Sequence, residues 1–433
     1  MNTPATLRAE VPDIALFGAT AGYGDLGIHA VIDLTRRFSR AELERALQAT
    51  IESFPVLGRR YVPGFWRDAW HPVDAPLSGA VHVLEEPADL DAETDRWARR
   101  PIDSARERPL RLVSFARGGG SRLILSITHL AVDGAGVAAV GHVLGAHLYG
   151  TQPSAPVDPR RSVASALEGL RWYHLPVLMR DLAASAWLPL RTWRAAPRER
   201  EYPRAPSSEA CWRHVTISSE DVARIGARCR PLGASVNDAL IAALAGVAAR
   251  RSSEGPLAVM YTMDLRRYAG EPRLTAANTS SILLVNVPRS ATSDLTTSVA
   301  AVAERTRRQR RGFAGPALLL APVVLGWAMP HALTRRVLRW LHPVLIDMPL
   351  RRGVIYTNVG RIDHGLAAFG DDIERLRIIG PSVLNVRTPS VVAFGFRGEL
   401  HLALFGPPGL APAALEELER ELREALGTGQ TQP

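Results

Sequence analysis

The sequence predicts a mixed α/β protein (α+β) in two domains, and three observations carry that prediction. Strand-like runs alternate irregularly with amphipathic helical stretches, which points to mixed sheets rather than a regular βαβ array. At 433 residues the chain exceeds one ordinary core, so two units of roughly 200 residues are expected. From Thr151 to about Pro206 the patterning weakens into a crossover: Pro153, Pro156 and Pro159 come first, then Trp187, Arg191, Trp193 and Arg194.

Each element has its own local reason. Ile28 to Leu34 alternates like a strand. Ser39 reads as the N-cap of a helix over Arg40 to Ser53, with Glu42 completing a capping box and Leu43, Leu47 and Ile51 facing the core. Pro55 ends that helix. Leu110 to Ala116 and Arg122 to Thr128 form a hairpin around Gly118-Gly119-Gly120, and Leu125 and Ile127 alternate with Ser126 and Thr128. His129 stands at the end of this strand. After Gly134 the apolar spacing becomes helical, with Val137, Val140, Val143, Leu144 and Leu148 on one face. In the second half, regular structure resumes over Trp212 to Ile217 and Ser218 to Arg228. Ser235-Val236-Asn237-Asp238 opens a capped helix, with Asn237 in a capping role. Strand-like runs follow at Leu257 to Met263, Ser281 to Val287, Gly353 to Thr357 and Arg375 to Ile379. Val391 to Phe396 then pairs with Glu399 to Phe405 across Arg397-Gly398. Pro412 to Leu426 is a final amphipathic helix, and the tail after Gly427 is expected to fray.

Composition excludes several chemistries. The net charge is +9, and every basic residue in that count is arginine. Without lysine there is no Schiff base, no pyridoxal phosphate anchor and no P-loop. Cys211 and Cys229 supply neither a disulfide framework nor metal-ligand spacing, and they fit a reduced, cytoplasmic setting. Met1 to Pro12 lacks a basic-then-apolar signal. Gly312 to Leu333 is uncharged and long enough to span a bilayer. Pro316, Pro322 and Pro330 interrupt it, so a buried or interfacial hairpin is expected, with peripheral membrane contact at most. GxSxG and HExxH are absent. Gly134-Ala135-Gly136-Val137-Ala138-Ala139 fits the GxGxxA dinucleotide fingerprint, but proline-rich Tyr149 to Pro159 occupies the place of its second strand. His142 and His147 read as packing residues without a zinc set around them. Nothing matches a nucleic-acid-binding signature.

Thr128-His129-Leu130-Ala131-Val132-Asp133-Gly134 resembles the HHxxxDG signature of the condensation-domain and CoA-dependent acyltransferase superfamily, with Thr128 at the first histidine. Other segments resemble the family in the same order. They are Pro55-Val56-Leu57-Gly58-Arg59-Arg60, Ser235 to Leu240, Met263-Asp264-Leu265-Arg266-Arg267 and Tyr356-Thr357-Asn358-Val359-Gly360-Arg361. The resemblance implies two chloramphenicol-acetyltransferase-like lobes in a V with a channel between them. Residues 1–165 would form the first lobe, 166–206 the linker and 207–433 the second lobe. It also implies that His129 is catalytic and that Asp133 pairs with Arg266.

A neutral imidazole takes a proton from an attacking alcohol or amine at neutral pH, so His129 is expected to act as general base on a thioester. Asp133, Arg266 and Gly134 are expected to support the site structurally. The oxyanion donor is expected near Gly134, Ser126 or Thr128, or from the imidazolium itself, with Asn358 on the channel wall. No permanently bound cofactor is expected. The co-substrate would be acyl-CoA or a phosphopantetheine thioester on an acidic carrier protein, docked by basic residues such as Arg307, Arg308 and Arg311. The acceptor would be a hydrophobic alcohol, giving an ester, and the chain is expected to act as a monomer. The alternatives are a free-standing amide-forming condensation enzyme and a non-catalytic member that docks carrier proteins.

Overall fold

The computed structural model describes residues 6–23, 26–184, 210–251, 257–292, 294–342, 353–380 and 389–428. The strands are β1 (Leu7–Arg8), β2 (Gly27–Leu34), β3 (Arg59–Val62), β4 (Ala69–Pro72), β5 (Val81–Leu84), β6 (Leu110–Arg117) and β7 (Gly120–Thr128), followed by β8 (Cys211–Ile217), β9 (Leu257–Asp264), β10 (Ser280–Val287), β11 (Gly353–Arg361), β12 (Ile373–Ile379), β13 (Ser390–Phe396) and β14 (Glu399–Gly406). The longer helices are α1 (Val11–Tyr23), α2 (Arg40–Ser53), α3 (Leu90–Arg99), α4 (Gly134–Leu148), α5 (Ser219–Cys229), α6 (Val236–Arg251), α7 (Leu295–Arg311), α8 (Ala314–Ala328), α9 (His331–His342) and α10 (Pro412–Leu426).

Two large sheets organise the chain. One runs β12-β2-β7-β6-β5, with β7 antiparallel to both neighbours. The other runs β10-β9-β11-β13-β14-β8, its central strands β9, β11 and β13 parallel and its edges antiparallel. A small sheet, β1-β4-β3, stands apart. The strand β12 follows the second sheet's β11 in sequence yet pairs with β2, so the later half of the chain completes the earlier sheet.

Local chemistry accounts for these elements. Ser39 and Glu42 form the full capping box on α2, and Leu43, Ala46 and Leu47 are its buried face. The hairpin β6–β7 turns at Gly118, whose φ of 51° lies in the left-handed region that glycine enters freely. Ser235 and Asp238 cap α6 reciprocally: the Ser235 hydroxyl accepts from the Asp238 amide and the Asp238 carboxylate from the Ser235 amide. One apolar core gathers α2, α4 and the first sheet, a second gathers α6, α10 and the second sheet, and Val31, Val113 and Ile124 meet Ala403 and Phe405 between the sheets.

The uncharged stretch from Gly312 forms α8, and Pro330 then separates it from α9. Pro316 lies in the first turn of α8, where a missing N–H is tolerated. Among the described residues no single helix is long and apolar enough to cross a membrane. The crossover's Trp187, Arg191, Trp193 and Arg194, and the tail beyond Thr428, lie outside the described residues.

Candidate active site

His129 is the first residue past β7. The Thr128 amide donates to the Pro109 carbonyl (2.9 Å) and the His129 amide to the Leu26 carbonyl (2.8 Å), which pins the backbone on both sides of the imidazole. The ring Nδ1 lies 3.2 Å from Oδ1 of Asn278. Asn278 has one sensible orientation, because its Nδ2 donates to the carbonyls of His129 (2.9 Å) and Leu130 (3.0 Å). Its Oδ1 must therefore accept, and the proton of neutral His129 is assigned to Nδ1. The Nε2 atom has no hydrogen bond to any described residue, and His129 lines a cavity. That tautomer and exposure suit proton abstraction.

Asn278 is itself held. Its Nδ2 lies 3.4 Å from Asp13 Oδ1. Asp13 accepts from both Nη atoms of Arg161 (2.8 and 3.1 Å) and from Trp70 Nε1 (3.0 Å). Arg161 also donates to the Ala131 and Ala276 carbonyls (2.7 and 3.1 Å), tying the loop after His129 to the segment that carries Asn278.

Asp133 is buried and caps α4 by accepting from the Gly136 amide (2.8 Å). Arg266 clamps it with Nη2 on Oδ1 (3.0 Å) and Nη1 on Oδ2 (3.1 Å). The Thr279 amide and the Ser280 hydroxyl complete Oδ2, each at 2.9 Å. Burial opposes ionisation of Asp133, but the Arg266 guanidinium and the amides of Gly136 and Thr279 outweigh it and hold the carboxyl below the usual carboxylate range. Its neighbour Asp264 is pushed up by burial, although Arg266 also bonds it. With its oxygens engaged in this way, Asp133 braces a loop rather than forming a dyad with His129.

The cavity has a volume of about 410 Å³, within the range of small-molecule sites. Both sheets and α4 wall it: Ile28 and Ile32 of β2, Leu376 of β12, Val137 of α4 and Ile355 and Val359 of β11 are among the lining residues. Its polar side chains are His129, Thr262, Thr357 and Ser390, and no charged side chain lines it among the described residues. Gly134, the first residue of α4, also lines it, and its amide has no acceptor among the described residues. A Cβ at Gly134 would sit 3.3 Å from Val359. At Gly136 it would sit 2.9 Å from Val132 Cβ and 3.3 Å from the Ala277 carbonyl, so the closer approach is at Gly136.

Solved structures share this fold. The first condensation domain of the CDA synthetase superposes with a TM-score of 0.69 at 17% identity, over 98% of this chain and 96% of that one. The trichothecene 15-O-acetyltransferase of Fusarium sporotrichioides gives 0.67 at 11% identity, over 97% and 95%. The epimerization domain from the third module of tyrocidine synthetase B gives 0.66 at 14% identity, over 98% of each chain. The chain has the condensation-domain fold. No family model matches the sequence, and no curated protein matches it significantly.

Within the condensation-domain fold, several expected site residues sit elsewhere. Ser126 and Thr128 are buried and do not line the cavity. The Ser126 hydroxyl bonds His29 Nδ1 (2.8 Å), the Thr128 hydroxyl accepts from the Leu130 amide (3.3 Å), and the Thr128 amide is engaged by Pro109. The reason is period two: Ile28 and Ala30 line the cavity and pair with Ile127 and Leu125, so Ser126 and Thr128 fall on the opposite face of the sheet. Asn358 is displaced from the wall in the same way, between wall residues Thr357 and Val359. Its Nδ2 donates to Asn237 Oδ1 (2.9 Å) and its Oδ1 accepts from the Gly360 amide (2.7 Å). Asn237 is thus no cap. Its Oδ1 accepts from Asn358 and from the Tyr356 hydroxyl (2.9 Å).

The basic cluster on α7 is partly engaged within the chain. Arg307 donates to the Gly233 carbonyl (2.9 Å) and Arg308 pairs with Glu304 (2.7 Å), while Arg311 is exposed. His142 is buried and accepts from the Ser154 amide (2.9 Å). No group of three His, Cys, Asp or Glu residues among the described residues could hold a metal ion. Asn278 was not anticipated from sequence. It lies in a short polar run, Asn278-Thr279-Ser280, before a strand, and nothing in that spacing marks it.

Proposed function

We propose that this chain is an acyltransferase that moves an apolar acyl group from a thioester to an alcohol, forming an ester. One observation carries the reading: His129, with its tautomer set by Asn278 and its Nε2 without a hydrogen bond to any described residue, lines an almost wholly apolar cavity. Nε2 takes the proton of the alcohol as its oxygen attacks the thioester carbonyl. The tetrahedral intermediate then expels the thiolate, the C–S bond breaks, and the imidazolium returns the proton to sulfur. The Gly134 amide is the donor best placed for the oxyanion, because Gly134 lines the cavity and its amide has no acceptor among the described residues. The thioester would be carried by coenzyme A or by the phosphopantetheine arm of a carrier protein. An uncharged acceptor is favoured, since among the described residues no carboxylate lines the cavity to receive an ammonium group.

The test is incubation with acyl-CoA and acyl-carrier donors against matched alcohols and amines, with products identified by mass spectrometry. Ester as the main product supports the reading, and amide as the main product replaces it with the condensation reaction. His129→Ala should lower kcat by about 10²–10⁴-fold, the usual contribution of a general base. Turnover retained within about tenfold removes His129 from that role.

A further inference from the structure

The β3–β4 loop and the consecutive helices α8 and α9, far from it in sequence, bring large apolar side chains to one exposed area. In the β3–β4 loop, Phe65 and Trp66 are 65% and 69% exposed, their rings edge to face at 5.3 Å. On α8, Trp327 is 62% exposed, and on α9 Leu333 and Trp340 are 44% and 76% exposed. The contacts between these elements are specific. The amides of His331 and Ala332 donate to the carbonyls of Trp66 and Phe65 (3.1 and 3.0 Å). Arg67 donates to the carbonyls of Gly326, Trp327 and Met329, each at 3.2 Å. Arg335 bonds the buried Asp68 below. The aromatic side chains are thus presented by a braced scaffold, which lowers the cost of inserting them into another phase.

Charge follows the same area. Leu333, Arg336 and Trp340 recur at helical spacing on α9, with Arg339 beside them, and Arg336 and Arg339 are exposed. The sequence has no acidic residue from Gly312 to Ile346. Tryptophan at the rim of an apolar surface, interleaved with arginine and free of acids, matches the boundary of an anionic lipid leaflet, where indole rings settle at headgroup level and guanidinium groups meet phosphates. Helix α1 lies between the area and the cavity. Ala15 and Leu16 of α1 line the cavity, while Val11 and Gly18 of the same helix pack against Gly326 and Arg335.

We infer that this surface docks the protein on an anionic membrane, with Phe65, Trp66, Trp327, Leu333 and Trp340 entering the interface and Arg336 and Arg339 on the headgroups. The inference does not depend on which acyl-transfer reaction the cavity runs.

Its test is co-sedimentation of the full chain with phosphatidylcholine vesicles, with and without phosphatidylglycerol, without any acyl substrate. Binding is expected to the anionic vesicles, together with a blue shift of tryptophan emission. Phe65→Ser with Trp66→Ser, and separately Trp340→Ser, should weaken partitioning by about tenfold or more, and Arg336→Glu with Arg339→Glu should do the same at low salt. Circular dichroism and melting curves identify variants that keep the fold, and only those are compared. Three results would overturn the inference. The first is no sedimentation with anionic vesicles at low salt. The second is undiminished binding by every folded variant. The third is a concentration-dependent dimer, or a complex with an acidic carrier protein, that the same substitutions dissolve while vesicles go unbound.

Discussion

His129 and Asn278 divide one task between them: the histidine carries the reactive nitrogen, and the asparagine decides which nitrogen that is. Because Asn278 Nδ2 is committed to two backbone carbonyls, its Oδ1 can only accept, and the imidazole proton is held on Nδ1. Asn278→Ala should leave the ring free to turn and to change tautomer. We expect kcat to fall by about ten- to a hundredfold, the range for outer partners of functional histidines, with KM little changed. A steady-state comparison with His129→Ala, and with the double variant, separates positioning from folding. If Asn278 acts only through His129, the double variant is no slower than His129→Ala. At this scale the sequence showed His129 through its place at a strand end, while Asn278 was hidden because 149 positions separate the two residues.

The N-terminus of α4 shows how one carboxylate supports an element. Asp133 caps the helix, anchors Arg266 and receives the Thr279 amide, so loop, helix and the start of β10 share one buried anion. Removing one partner of a buried pair costs about 3–5 kcal/mol, because the other charge is left uncompensated. Asp133→Ala should therefore lower stability by about that amount in denaturant unfolding, and Asp133→Asn by less, since it keeps the shape and one acceptor. The sequence foresaw the pairing with Arg266 through family resemblance, and the capping box on α2 from its spacing alone. It placed Ser126 and Thr128 near the chemistry because they adjoin His129 in sequence. The alternation that identified the strand also sends them to the other face. The same α4 offers a test of the cavity. Gly141 lines it, and a Cβ there meets nothing within 4 Å. Gly141→Leu should fill space without a backbone clash, keep or slightly raise the melting temperature, and shift donor preference toward shorter acyl groups. An unchanged chain-length profile would mean that the acyl group does not enter this cavity.

Across the whole molecule, the two sheets are interleaved in sequence. The strand β12 leaves the second sheet's run of sequence to close the edge of the first beside β2, and residues of both sheets wall the cavity. Buried histidines make this body sensitive to acid. Burial, aided by the nearby Arg111 guanidinium, pushes His29 down to about 3, and burial pushes His214 down to about 4. The unfolded chain protonates both near pH 6.5. Between those values the unfolded state binds more protons, so their contribution to stability is complete above about pH 6.5 and is lost as pH falls toward the folded values. Melting temperature should thus decline with acidification below about pH 6.5, and His29→Asn should make that decline shallower.

The sequence by itself determined several elements, from alternation in β2 and β7 to the capping box of α2, because those signals lie within a few residues of one another. It also placed His129 at a strand end and excluded lysine-based chemistry. Tertiary structure decided which groups surround that histidine and that β12 belongs with β2. Those outcomes depend on contacts between residues a hundred or more positions apart, where the energy of packing and pairing depends on geometry that no local pattern encodes.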